Sequence, residues 1–370
     1  MSDPDPYEPD RVEGVPHPRH TAHLYGQGAA ERAFLDAYGA DKLHHAWLLT
    51  GPRGVGKATL AWRIARFLIA DPGGDGMFGP PDTLDIPADH PVAARVSALS
   101  EPQLFPMRPT RSDTGTERRD ITVDVARSLR DFLHLSSTDG GRRVVIVDSA
   151  DQLNTQAANA ILKLVEEPPA RTTFLLVSHA PARLLPTIRS RCRTLACHPL
   201  GGTELADAIS DAGLDPQIEP AALQQLASGS VGEAARLLQE DGPAIYADLV
   251  ALARTIPDMD RARLLKLANG LGGTAGRNRM DTLVRLIELL LSRLARNAAG
   301  APPEAEATKG EADMLARLGP HTGAGRAWAN LSQEVSERLQ HGRAVNLDPS
   351  ALVLDTGLKI NETGRQILRG

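Results

Sequence analysis

Aromatic residues are scarce: Phe, Trp and Tyr together make up 4% of the 370 residues. So few rings argue against a base-stacking platform for single-stranded nucleic acid. Cysteine is scarcer still. Only Cys192 and Cys197 occur, too few for a four-thiolate zinc site or a disulfide framework. Basic charge is not in excess either. Against 41 Lys and Arg stand 46 Asp and Glu, for a formal net charge of −5, so a freestanding DNA-binding protein with a strong basic face is not indicated. No apolar run reaches the roughly 18 residues of a membrane span, and the acidic, proline-rich N-terminal stretch lacks a signal-peptide pattern. These absences lead to the expectation of a cytoplasmic chain in a reducing setting, with no membrane partner.

The length allows two or three domains. Residues 1–22 read as a flexible tail of Asp, Pro, Glu and His. The stretch 71–118 is rich in Gly and Pro and interrupts the βα rhythm, so it reads as an insertion or long loop. Alternation then resumes. Val123–Leu135 is predicted helical, Val144–Val147 a buried strand, and Gln156–Glu167 a helix capped by Asn154 and stopped by Pro168-Pro169. Thr172–Ser178 reads as another strand. Strands alternating with helices imply a parallel sheet covered on both faces, over residues 23–200. Beyond 200 strands disappear. Short helices fill 201–240, and 243–370 is helical throughout, with Leu283, Leu286, Ile287, Leu290 and Leu294 marking one amphipathic helix and Ala301–Ala307 a linker.

Gly51-Pro52-Arg53-Gly54-Val55-Gly56-Lys57-Ala58 is a phosphate-binding loop with one defect. Its glycines let backbone N–H groups cradle phosphate oxygens, and Lys57 adds charge near the β/γ-phosphates. A working loop ends in Ser or Thr to hold Mg²⁺; here Ala58 stands in that place. The apolar run Ala46–Leu49 precedes the loop. Leu60, Ala61, Ile64, Ala65 and Leu68 follow at helical spacing, with Arg63 and Arg66 on the other face. Strand, glycine loop and helix point a helix N-terminus at phosphate.

A second element is Arg143-Val144-Val145-Ile146-Val147-Asp148, an apolar strand ending in a carboxylate. At that position Asp148 either holds Mg²⁺ or simply caps the strand end. Hydrolysis usually needs a further carboxylate next in sequence to activate water. That position is Ser149, and Asp151 lies two residues beyond it. A missing Mg²⁺ hydroxyl and a missing base each typically cost about 10²–10⁴ in rate. Phosphate binding through Gly51, Gly54, Gly56 and Lys57 survives both losses.

The segments His44–Gly51, Val147-Asp148-Ser149-Ala150-Asp151, Ala158–Pro169 and Ser190-Arg191-Cys192 resemble the clamp-loader branch of the AAA+ ATPases. The Leu-Val-Glu-Glu-Pro-Pro and Ser-Arg-Cys segments carry the resemblance most specifically. By motif it covers about residues 23–240, and the helical remainder by architecture only. It implies an α/β P-loop AAA+ core, a small helical lid over 201–240 and an all-α collar over 243–370. It also implies roles. Arg191 would act in trans, reaching the γ-phosphate of ATP on a neighbouring subunit; the plain alternative is an exposed basic cluster of Arg189, Arg191 and Arg193. Ser178 would be a polar sensor beside the γ-phosphate, or a strand-end cap. Active members carry an Arg where Gly232 stands, a third departure alongside Ala58 and Ser149. Many relatives hold a four-cysteine zinc module where 71–118 has no cysteine, so no zinc or other resident metal is expected. Cys192 fits a small buried apolar role.

Two functions follow from the resemblance. One is a mostly non-catalytic stator, working with delta and gamma/tau clamp-loader subunits and reaching the sliding clamp and primed DNA through the complex. Its own ATP or ADP binding, with Mg²⁺, would be weak. The other is an active, gamma/tau-like ATPase, for which Thr59 would replace the missing hydroxyl and Asp151 the missing base. Thr59 lies one residue late, about 100° around the helix. A nucleotide-gated adaptor that binds ATP without splitting it is a third, weaker reading. In the stator reading the collar's apolar faces, including Leu283, Ile287, Leu290 and Trp328, are partly buried against partner helices; a self-contained helical core is the alternative.

Overall fold

The computed structural model describes residues 8, 11–21, 23–70, 81–111, 118–134, 141–269, 271, 273–345 and 347–369. The chain forms two compact units. The first comprises residues 1–200 together with Ser230–Gly232; the second comprises Gly201–Gly229 and Glu233–Gly370.

The first unit is an α/β layer structure. In chain order it runs α1 (Gly28–Gly39), β1 (Ala46–Thr50), α2 (Lys57–Ala70), α3 (Pro91–Ser97), β2 (Leu104–Met107), α4 (Val123–His134), β3 (Arg143–Asp148), α5 (Thr155–Glu166), β4 (Thr172–Ser178), α6 (Pro186–Arg189) and β5 (Arg193–Ala196). The five strands pair in parallel in the order β2-β3-β4-β1-β5. The central strands are buried on both faces, which is why they read as unbroken apolar runs. Ala46, Leu48, Val145, Val147, Phe174 and Leu176 share one core cluster with Leu129 of α4 and Ile161 of α5. Trp47, on the alternate side of β1, meets Phe34 of α1 with ring centroids 5.2 Å apart. Asn154 caps α5 as expected, its Oδ1 accepting the Ala157 N–H at 2.8 Å.

The structure corrects three expectations here. The stretch 81–111 is not a mere insertion: it contains α3 and β2, and β2 extends the sheet with Leu104 opposite Val144 and Met107 opposite Val147. Pro106 within a four-residue strand hid it, and proline is tolerated there because β2 is an edge. Residues 71–80 and 112–117 lie outside the described residues. Nor is the described part of 1–22 a free tail. His17 is buried edge-on to Trp62, with centroids 5.7 Å apart. Arg19 is buried between the Glu8 carboxylate and the Ser97 carbonyl, and Arg66 donates to the Arg19 carbonyl at 2.7 Å. Residues 1–7, 9–10 and 22 lie outside the described residues. Finally, Arg63 does not face solvent from α2: it is buried, with Glu31 at 3.2 Å and Asp85 at 2.9 Å.

The second unit is helical: α7 (Gly202–Asp211), α8 (Pro220–Ala227), α9 (Val231–Gln239, whose first two residues belong to the first unit), α10 (Gly242–Arg254), α11 (Arg261–Ala268), α12 (Gly273–Ala298), α13 (Glu311–Leu318), α14 (Thr322–Ala344) and α15 (Pro349–Arg369). Leu283, Ile287, Leu290 and Trp328 are buried within this chain by its own helices, and the Trp328 indole N–H donates to the Leu318 carbonyl at 2.8 Å. The expectation that partner helices cover them is therefore replaced by a self-contained core. An amphipathic repeat specifies an apolar stripe, not whose helix covers it. Glu311, fully buried, takes Arg293 at 2.7 Å, the Tyr246 hydroxyl at 2.5 Å and the Ala307 N–H at 2.7 Å. Arg293 also reaches Gln225 at 2.9 Å, so one polar network ties α8, α10, α12 and α13. No helix among the described residues is long and apolar enough to cross a membrane.

Candidate functional site

The phosphate loop lies between β1 and α2 at the C-terminal edge of the sheet, where parallel α/β proteins place their ligands. Register brings its neighbours into line: Thr50 of β1 sits opposite Ser178 of β4, and Asp148 of β3 opposite Val177. Gly51 has φ +137°, and a Cβ there would lie 2.2 Å from the Cys197 carbonyl oxygen. Gly54 has φ +73°, and its Cβ would lie 2.2 Å from Ser230 Oγ. Both positions demand glycine, first for conformation and then for room. Gly56 turns the chain into α2. Gln27 staples the loop from behind, donating to the Val55 and His198 carbonyls at 3.0 and 2.8 Å and accepting the His198 N–H at 3.0 Å.

The lysine of this loop and one of its carbonyls are turned onto the protein itself. Lys57 is buried, and its ammonium donates to the Gly51 carbonyl at 2.8 Å and to the Pro52 carbonyl. Burial pushes its pKa down to about 8, against the upward pull of Cys197, Asp148 and Asp151. The Gly54 carbonyl accepts two N–H groups from the start of α9, Val231 at 2.9 Å and Gly232 at 3.3 Å.

Asp151 is fully engaged. It sits in a single 3₁₀ turn, Ala150–Gln152, and accepts the Ser178 hydroxyl at 2.7 Å and the His179 N–H at 2.5 Å. The Ala180 N–H lies 3.4 Å from both its oxygens. A carboxylate spent on bracketing the β4 terminus is not positioned as a free base for water. Ser178, fully buried, spends its hydroxyl on that bracket. His179 follows it. Burial, together with Lys57 and Arg53, holds this imidazole down at about 4, so it is neutral at physiological pH. Ser149, where a carboxylate base would stand, is buried and bonded to Gln152.

A Mg²⁺-nucleotide does not fit this set of side chains as a reactive species. Ala58 offers no oxygen, Thr59 is buried, Asp151 is committed, and Gly232 brings no cation. Among the described residues no cluster of three or more His, Cys, Asp or Glu is arranged to hold a metal. Burial raises both thiols to about 11, so Cys192 and Cys197 are protonated at physiological pH.

Of the residues expected to act, Gly51, Gly54, Gly56, Lys57, Asp148 and Ser178 come together at this edge. Arg191 does not join them. It lies on the turn between α6 and β5, with its side chain 38% exposed. Its Nη2 contacts Glu166 Oε1 at 2.9 Å, and its Nη1 donates to the Thr187 carbonyl at 3.0 Å. Sequence reasoning missed Gln27, His179 and Glu166 as site residues. Glu166 belongs to a segment already conspicuous in the sequence; the other two carry no periodic or compositional signal.

Comparison with known proteins places these features. The family model described as DNA polymerase III, delta subunit, matches residues 26–201. The chain is 38% identical over 196 residues to DNA polymerase III subunit delta' of Pseudomonas aeruginosa, a match covering 51% of this chain and 53% of that protein, about half the relative's length. It is 29% identical over 327 residues to the Escherichia coli K12 protein of the same name, covering 88% and 91% of the two chains. With the Yersinia pestis protein of that name it shares 30% identity over 266 residues, covering 70% and 73%.

Proposed function

This chain belongs to the DNA polymerase III delta' family, and from that membership we propose that it is the largely non-catalytic stator of a clamp loader. It works in replication beside delta and gamma/tau subunits and helps load the sliding clamp on primed DNA. Contact with clamp and DNA is made through the complex. Its catalytic contribution is Arg191, offered in trans to ATP on a neighbouring ATPase. A guanidinium is permanently charged and forks onto phosphate oxygens, and such a finger contributes about 10³–10⁵ in rate.

The observation that supports this reading is the contrast between the two groups of residues. The Lys57 ammonium and the Asp151 carboxylate are consumed inside the chain, while Arg191 stands half in solvent. Residual ATP or ADP binding through Gly51, Gly54, Gly56, Lys57, Asp148 and Ser178 is weak in this proposal, and turnover at the chain's own site is absent. The active-motor reading needs Thr59 and Asp151 as substitutes, yet Thr59 is buried and Asp151 is bonded to Ser178 and His179.

The test is the ATPase rate, stimulated by clamp and primed DNA, of a loader assembled with this chain or its Arg191→Ala variant. The proposal expects a loss on the order of 10³ at the neighbouring site, and no turnover by the isolated chain. Strong ATPase from the isolated chain, indifferent to Arg191→Ala, would instead make it a motor.

A further inference from the structure

We infer that Glu166 is a positioning residue for Arg191, holding the guanidinium outward before the neighbour's phosphate arrives. The inference rests on the reading that Arg191 acts in trans. Glu166 is the last residue of α5, and Glu167 follows it. A helix C-terminus carries partial negative charge and ordinarily favours cations there. Two adjacent carboxylates at that end outnumber Lys163, the one basic residue of the last turn, so a further cation is favoured there. Arg191 is that cation: its Nη2 lies 2.9 Å from Glu166 Oε1. The Thr187 carbonyl, 3.0 Å from Nη1, fixes the second arm of the fork. Carboxylate, carbonyl and helix terminus thus select one orientation of a side chain that would otherwise sample many rotamers.

The hold is firm in direction and weak in strength. Both side chains are more than a third exposed, at 38% and 37%, and a pair of that kind is worth a factor of about five or less. A γ-phosphate carries more charge than one carboxylate and accepts the same bidentate geometry, so it displaces Glu166 readily. The guanidinium has five N–H donors, and its contacts here run through Nη1 and Nη2, so engaging phosphate does not require the side chain to be rebuilt. Glu166 therefore acts on the reaction only through Arg191, by removing rotamer freedom in advance.

The experiment is steady-state ATPase of the assembled clamp loader carrying Glu166→Ala, Glu166→Asp, Arg191→Ala or the Glu166→Ala/Arg191→Ala pair. Glu166→Ala is expected to lower kcat about fivefold with KM for ATP unchanged, and Glu166→Asp to restore part of the loss. The double variant is expected to be no slower than Arg191→Ala alone, whereas a general folding defect would slow it further. An unchanged or raised kcat for Glu166→Ala, or an additive loss in the double variant, overturns the inference while leaving Arg191 as the finger. An unchanged kcat for Arg191→Ala overturns the inference and the reading it rests on together.

Discussion

At the C-terminal edge of β1, β3 and β4 the Lys57 ammonium and the Asp151 carboxylate are turned onto the chain itself, whereas at the turn after α6 the Arg191 guanidinium faces out. Lys57 spends its ammonium on the carbonyls of its own loop, and Asp151 spends its carboxylate on Ser178 and His179. Arg191 is held by a partly exposed carboxylate, the Thr187 carbonyl and, at 3.5 Å, the Ser190 hydroxyl. Both regions belong to one compact unit and use the same residue chemistry. What differs is the degree of internal satisfaction. A group already paired and desolvated within its chain has little left to offer a ligand, whereas a half-exposed fork can exchange its partner at small cost.

The contrast breaks most visibly if charge alone suffices at the exposed turn. Arg191→Lys keeps the cation and removes the planar fork, so the assembled loader's ATPase at the neighbouring site is expected to stay reduced by about 10³. A rate near that of the native chain would show that bidentate geometry is not what the turn supplies.

On the inward side, Lys57 gives a pH signature. Its pKa is about 8 when folded against 10.5 for the free side chain. Between those values the unfolded chain binds more protons, so stability rises with pH through that window. The stability of the native chain relative to Lys57→Met should therefore improve by up to about 3 kcal/mol from just below to well above the Lys57 pKa. Chemical denaturation of both chains at several pH values reads this directly. A flat difference would mean that the ammonium is hydrated rather than buried.

Asp151→Ala removes the bracket and leaves the buried Ser178 hydroxyl and the His179 N–H without their acceptor. It is expected to cost about 1–3 kcal/mol, seen as a lower denaturation midpoint. A neutral outcome would free Asp151 for a catalytic role and weaken the contrast. Smallest of all is Ala58→Thr. Restoring the hydroxyl alone is expected to give the isolated chain no measurable ATP turnover, because Asp151 and Gly232 are unchanged; phosphate release from that variant would show that a single substitution had silenced the site.

The sequence made some parts of this legible and hid others for identifiable reasons. β4 was read to the residue and α5 to within one, because uninterrupted apolar strands, the Asn154 cap and the Pro168-Pro169 stop are local signals. β2 escaped because Pro106 occupies an edge strand only four residues long. The packing of His17 and Arg19 escaped because their partners Trp62, Ser97 and Glu8 come from scattered positions. At the site, the loop glycines, Lys57 and Arg191 were all visible as letters. That Lys57 folds back onto Gly51, or that Arg191 rests on Glu166, depends on tertiary placement that spacing does not encode. The burial of Leu283, Ile287 and Leu290 by their own chain shows the same limit in the helical unit: the stripe was legible, its cover was not.

The most direct test of the account crosses the two regions in one assay. Loaders assembled with the Arg191→Ala chain and with the Lys57→Ala chain would be compared for ATPase stimulated by clamp and primed DNA. The account predicts that Arg191→Ala removes most of the turnover at the neighbouring site while Lys57→Ala leaves it near the native rate. The reverse pattern, with Lys57→Ala inactive and Arg191→Ala active, would contradict it and make the chain's own phosphate loop the working site.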